Sequence, residues 1–200
     1  MSLPNLMTLS RIPFLFIITV CLLLPSPGPI LALIFFIIAA LTDWADGWIA
    51  RRSGMVSDFG KLMDALADKI LMVGMLVVVL SVNLLPTWTL FFVLLTITRE
   101  FWITGLRLVA AARGVVLAAE KLGKYKTVFQ IISIAFLLLS KSIVVDFGGS
   151  LDSGFAWFCH WAGILIFLAA AVLTIVSGTV YLWKYRSLMG DSTPSKSDNA

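Results

Sequence analysis

Six apolar stretches of near-bilayer length, parted by short polar breaks, leave this chain few ways to fold. They run at about Arg11 to Leu24, Ile30 to Ala50, Gly60 to Val82, Trp88 to Leu108, Thr127 to Val145 and Trp157 to Trp183. A helix needs about 20 mostly apolar residues to cross the hydrocarbon layer, so the pattern predicts an all-α polytopic membrane protein with six transmembrane helices. Of the 200 residues 60% are hydrophobic and 13% charged, which is too apolar for a water-soluble domain. Pro25, Pro27, Gly28 and Pro29 break the first pair of stretches, Asn83 and Pro86 the third from the fourth, and Gly148, Gly149, Ser150, Ser153 and Gly154 the last pair. The first stretch is short, and a helix that starts earlier takes in Asn5, Thr8 and Arg11. It lacks the small-residue cleavage site of a signal peptide and reads as a retained span.

Lysines and arginines collect on one side of the predicted bundle. Arg51, Arg52 and Lys61 flank the second connection, Arg107, Arg113, Lys121, Lys124 and Lys126 the fourth, and Lys184 and Arg186 follow the last span, whereas the opposite side offers Lys141. Short cytoplasmic loops hold such an excess, so both termini are expected in the cytoplasm. Residues 1–189 then form one six-helix membrane domain, and 190–200, small and polar with Pro194, a disordered cytoplasmic tail. The net charge of +4 favours anionic lipid headgroups. No interleaving of basic and aromatic residues suggests a nucleic acid.

Four carboxylates interrupt the second and third stretches in the pattern D-x2-D-G-x2-A-R-x8-G-x3-D-x3-D, with Asp43, Asp46, Asp64 and Asp68 as its acids. Each costs roughly 2.5 kcal/mol or more near the bilayer centre, so the group needs a compensating partner. Asp43 and Asp46 are three apart and Asp64 and Asp68 four apart, so each pair shares one helix face. Brought together by the hairpin between them, the two faces make a four-carboxylate cluster suited to Mg²⁺ or Mn²⁺, with no thiol or imidazole nearby to favour zinc. Magnesium usually completes its shell with water and phosphate, so a phosphate-bearing ligand is expected. The bland alternative is a set of helix-end charges snorkelling or pairing with Arg51, Arg52, Lys61 and Lys69. Gly47 opens room for a nucleotide base or sugar against the backbone, and Gly60 serves either that purpose or close helix packing.

Other residues read more plainly. Cys21 and Cys159 carry no ligand spacing and are expected as small buried hydrophobes, and His160, beside Trp157 and Trp161, as an interfacial packing residue. Trp44 and Trp48 are read as interfacial anchors. Arg99 and Glu100, adjacent in sequence, are expected to face the interior from different sides of the fourth span without pairing with each other. Asn5 and Thr8 either cap the first helix or hydrogen-bond a phosphate or base edge.

With Asp43, Asp46, Gly47, Ala50, Arg51, Gly60, Asp64 and Asp68 at this spacing, the chain resembles the CDP-alcohol phosphotransferase family. The resemblance implies six membrane helices, a homodimer, and a site near the cytoplasmic surface of a bacterial inner membrane that binds two divalent metals. It also implies that an acceptor hydroxyl attacks the β-phosphorus of a CDP-linked donor and releases CMP. Three further segments, Leu3 to Ile12, Arg99-Glu100 with Thr104 to Arg107, and Leu122 to Thr127, are similar to the branch of the family that makes phosphatidylglycerophosphate. Trp102 and Ile103 depart from that branch's usual smaller or aliphatic residues.

That branch implies CDP-diacylglycerol as donor and sn-glycerol 3-phosphate as acceptor, with Asp43, Asp46, Asp64 and Asp68 on the metals. Asp68 is implied as general base, metal ligand or both. Asn5, Thr8, Asp43, Asp46, Gly47, Arg51 and Gly60 are then expected on the donor side, and Arg11, Arg107, Lys124 and Lys126 on the acceptor phosphate. Rival readings within the family take inositol phosphate, serine or phosphatidylglycerol as acceptor. An aspartate-rich prenyltransferase normally needs more spans and two separate motifs than this length holds. A non-enzymatic divalent-cation carrier would need polar groups threaded across the bilayer, whereas the third and sixth stretches turn uniformly apolar.

Overall fold

The computed structural model describes residues 3–53, 58–112, 121–152 and 154–185, with side chains described over 11–42, 69–111, 123, 125–152 and 154–185. Each apolar stretch forms one helix: α1 Leu3–Leu23, α2 Gly28–Ser53, α3 Asp58–Ser81, α4 Leu90–Ala112, α5 Lys121–Val145 and α6 Gly154–Lys184. α1 does begin ahead of Arg11, so Asn5 and Thr8 lie on helical backbone. The tail expected from residue 190 lies outside the described residues, as do the side chains of Trp44 and Trp48.

All six helices run 21 to 31 residues, and at 1.5 Å per residue the shortest reaches about 30 Å. Length is only half of the criterion. Among the described residues, Thr87–Ala111, Tyr125–Val145 and Gly154–Lys184 are both long and apolar enough to cross a membrane, while Arg11–Leu23, Gly28–Thr42 and Lys69–Ser81 are shorter apolar runs. These three runs stop where the described side chains stop, at 11, 42 and 69, and each belongs to a longer helix, α1, α2 and α3.

Local chemistry sets the helix ends. Pro29 sits in the first turn of α2, where its missing N–H costs nothing. α3 ends where Asn83 adopts φ 57, a left-handed conformation asparagine tolerates well, and the Leu84 N–H then returns to the Val79 carbonyl at 2.9 Å. The N-terminus of α2 is also held from a distance: the Ile30 N–H donates to Asp146 Oδ2 at 2.7 Å, so the residue after α5 caps a helix 116 positions earlier. Asp146→Ala is expected to cost about 1 kcal/mol, as loss of a helix cap does, read as a lower unfolding temperature of detergent-solubilised protein.

The helices pack as two four-membered rings with a common edge. α1 packs on α2 and α3, and α5 packs on the same two; α3 and α5 also form a ring with α4 and α6. The main core runs through both rings, with Ile18, Phe36, Met75, Leu76, Leu137 and Phe167 all at most 2% exposed. α5 and α6 approach closely at Gly163, where a Cβ would stand 2.8 Å from Leu137 Cγ. Ser133 Oγ donates to the Gly163 carbonyl there at 2.8 Å. Small residues allow such approach in membrane helices, where packing replaces the hydrophobic effect as the force between helices.

The two cysteines are buried and unbridged, as expected. His160 sits edge-on to Trp161, which in turn meets Trp157. Outward lie bulky apolar side chains: Phe16, Phe91, Phe155 and Trp183 are each more than 60% exposed. A surface this oily is stable against lipid, not against water.

Candidate active site

The acidic motif straddles the α2–α3 connection at matched depths. Asp46 stands seven residues before Ser53 and Asp64 six after Asp58, while Asp43 and Asp68 each stand ten from the same helix ends. At 1.5 Å per residue these are levels of about 10 and 15 Å from the ends. Both helices pack on α1 and on α5, which holds them in one assembly. Their side chains, with those of Asn5, Thr8, Gly47, Arg51, Gly60 and Lys124, lie outside the described residues. Among the described side chains, no group of three or more His, Cys, Asp or Glu gathers to hold a metal. The motif itself offers four hard oxygen donors and no soft one, the donor set that fits Mg²⁺ or Mn²⁺.

Immediately beyond Asp68 the described structure shows a buried ionic cluster. Glu100 of α4, with its side chain 7% exposed, is the hub. Its Oε2 accepts from Lys69 Nζ of α3 at 2.6 Å, and its Oε1 from Arg99 Nη1 at 3.1 Å. Lys126 of α5, 5% exposed, makes an ion pair with the same Oε1. Arg99 Nη2 donates to Ser177 Oγ of α6 at 2.9 Å. Cations from α3, α4 and α5 therefore meet at one carboxylate, and α6 joins through the Arg99–Ser177 bond. A small cavity beside it is lined by Lys69, Thr96, Glu100, Thr127 and Gln130, with Met72 and Leu76 on its apolar side.

Arg99 and Glu100 do pair, contrary to the expectation from their adjacency. Neighbouring Cβ atoms on a helix diverge, but an arginine stem is long enough to curve back. Gly178 sets the curve: a Cβ there would lie 2.7 Å from Arg99 Cγ and 3.0 Å from Nε, so the bare glycine gives the stem its bed. The expected inward orientation of both residues holds, at 14% and 7% side-chain exposure.

The four residues expected on an acceptor phosphate fall in different settings. Arg11 is buried at 6% exposure in α1, and Lys126 is in the cluster. Arg107 is exposed on α4, seven residues past Glu100 and so two turns along the same face. Lys124, two residues before Lys126, has only its helical backbone described. Sequence reading assigned no role to Ser177 or Gly178, and Lys69 was considered only as a partner for the aspartates. The available signal was Glu100 itself, an ionisable residue in an apolar stretch, for which a function is the default reading.

Comparison with known proteins shows the family. The sequence pattern described as CDP-alcohol phosphatidyltransferase matches residues 1–176. A Bacillus subtilis (strain 168) protein named CDP-diacylglycerol--glycerol-3-phosphate 3-phosphatidyltransferase is 43% identical over 151 residues, covering 69% of this chain and 77% of its own. Proteins of the same name from Rickettsia bellii (strain RML369-C) and Salmonella choleraesuis (strain SC-B67) are each 34% identical, covering 90% of this chain and 93% of theirs. With the family pattern running through five of the six helices and into α6, the chain belongs to the CDP-alcohol phosphatidyltransferase family.

Proposed function

We propose that this protein transfers the phosphatidyl group of CDP-diacylglycerol to sn-glycerol 3-phosphate, giving phosphatidylglycerophosphate and CMP. One observation supports it above the others: along α3 the last acid of the motif, Asp68, is followed directly by Lys69 of the buried cationic cluster. Along α3 an acidic segment suited to cations is thus followed at once by a cationic one suited to a phosphate. The reaction needs both, because donor and acceptor are each anionic. The names of the relatives favour the same pair of substrates.

Asp43, Asp46, Asp64 and Asp68 would hold two divalent cations, Mg²⁺ or Mn²⁺, which supply charge neutralisation to the diphosphate and to departing CMP. Asp68 accepts the proton of the attacking hydroxyl. The new bond joins that oxygen to the β-phosphorus, and the bond from β-phosphorus to the oxygen of CMP breaks. Gly47 and Gly60 let the nucleotide approach the backbone, with Asn5, Thr8 and Arg51 on the same ligand. Arg11, Arg107, Lys124 and Lys126 bind the acceptor phosphate, arginine by a fork and lysine as a point charge. Six spans, cytoplasmic termini and a homodimer complete the reading. A site at the cytoplasmic boundary keeps the donor's acyl chains in lipid while its nucleotide meets a water-soluble acceptor.

The test is purified protein with Mg²⁺, CDP-diacylglycerol and one acceptor at a time: glycerol 3-phosphate, inositol phosphate, serine or phosphatidylglycerol. CMP release with glycerol 3-phosphate, lost on chelation and restored by added Mg²⁺, is the expected result. Release with a different acceptor alone would reassign the substrate.

A further inference from the structure

Glu100 touches three cations from three helices, yet nothing in the transfer chemistry calls for a carboxylate at that place. We propose that Glu100 is a positioning residue: it fixes the ammonium groups of Lys69 and Lys126 so that the anion-binding half of the site is assembled before the acceptor arrives. This rests on the reading of Lys126 as an acceptor-phosphate residue.

The argument begins with lysine itself. Its four-carbon stem is flexible, and a site built from loose lysines loses that freedom when the ligand binds, which weakens the affinity. Glu100 removes the freedom in advance. An ammonium has three N–H donors and the contact with Glu100 takes one, so pairing with Glu100 does not by itself bar a phosphate oxygen from the same nitrogen. Glu100 is in turn held by Arg99, whose other nitrogen is tied to Ser177 and whose stem lies on Gly178. The order of support runs from α6 through Arg99 and Glu100 to the lysines of α3 and α5. Ser177 and Gly178 thereby act on the site although neither belongs to it.

The test compares wild type with Glu100→Gln and Ser177→Ala, measuring KM for each substrate, kcat and the unfolding temperature. Loss of preorganisation of two lysines is expected to raise KM for glycerol 3-phosphate about tenfold in Glu100→Gln, with KM for CDP-diacylglycerol within about twofold of wild type. Ser177→Ala, which leaves Glu100 in place, is expected to shift the acceptor KM in the same direction by about threefold, with the donor KM unmoved. A purely structural role would lower the unfolding temperature and depress kcat without separating the two KM values. That outcome, or an unchanged acceptor KM in folded Glu100→Gln, overturns the proposal. If Glu100→Gln fails to fold, Ser177→Ala decides alone, and an unmoved acceptor KM there overturns it. Wild-type protein that releases no CMP with glycerol 3-phosphate overturns the proposed function as well, whereas an active wild type with indifferent variants overturns only the role of Glu100.

Discussion

Asp64→Asn and Asp68→Asn are each expected to reduce CMP release by about a hundred- to ten-thousandfold, the range associated with loss of a positioned acid–base group. The protein should nevertheless insert and fold. Asparagine keeps the size of aspartate, and removing a charge from a membrane helix relieves a cost of roughly 2.5 kcal/mol or more. The two variants differ in one informative way. If Asp68 takes the hydroxyl proton as well as touching metal, excess Mg²⁺ recovers part of the Asp64→Asn loss and none of the Asp68→Asn loss. Turnover, apparent Mg²⁺ affinity and unfolding temperature on the same preparations make the comparison. Wild-type turnover in Asp64→Asn would remove the metal assignment altogether.

Lys126→Ala should act on the other half of the reaction. A hydrogen bond to a charged group contributes about 1.5–3 kcal/mol, so KM for glycerol 3-phosphate is expected to rise about ten- to a hundredfold while the donor KM stays near wild type. Stability should suffer less than the loss of a buried ion pair usually implies, because Glu100 keeps Lys69 and Arg99. Lys126→Arg is not expected to rescue, since a planar fork does not occupy the place of a compact ammonium. Initial rates over a grid of both substrates separate the two KM values. Loss of donor affinity instead would move Lys126 from the acceptor to the nucleotide.

The helices were legible in the sequence because three of the five connections are marked by proline, glycine or asparagine, which end helices for reasons local to the backbone, and the other two by the charge they collect. Even the early start of α1 follows from the shortness of its apolar part. The acidic motif was legible as well, since carboxylates in an apolar run stand out by their cost. Contacts between distant helices were harder to read. That Asp146 caps α2, and that Ser177 and Gly178 seat Arg99, are properties of packing between segments 78 to 116 residues apart, and no periodicity reports them. The separation of Arg99 from Glu100 failed for a related reason: helix geometry fixes where a Cβ points, but the far end of an arginine goes where a neighbour leaves space.

That seat for Arg99 carries a consequence for how sequences of this kind can diverge. Any side chain added at 178 collides with the stem from 99, and shrinking residue 99 leaves a hollow against α6. The two sites are therefore bound to drift as a couple across related chains. A bulkier residue at one should be found only with a smaller partner at the other, and an unmatched exchange at either should be selected against.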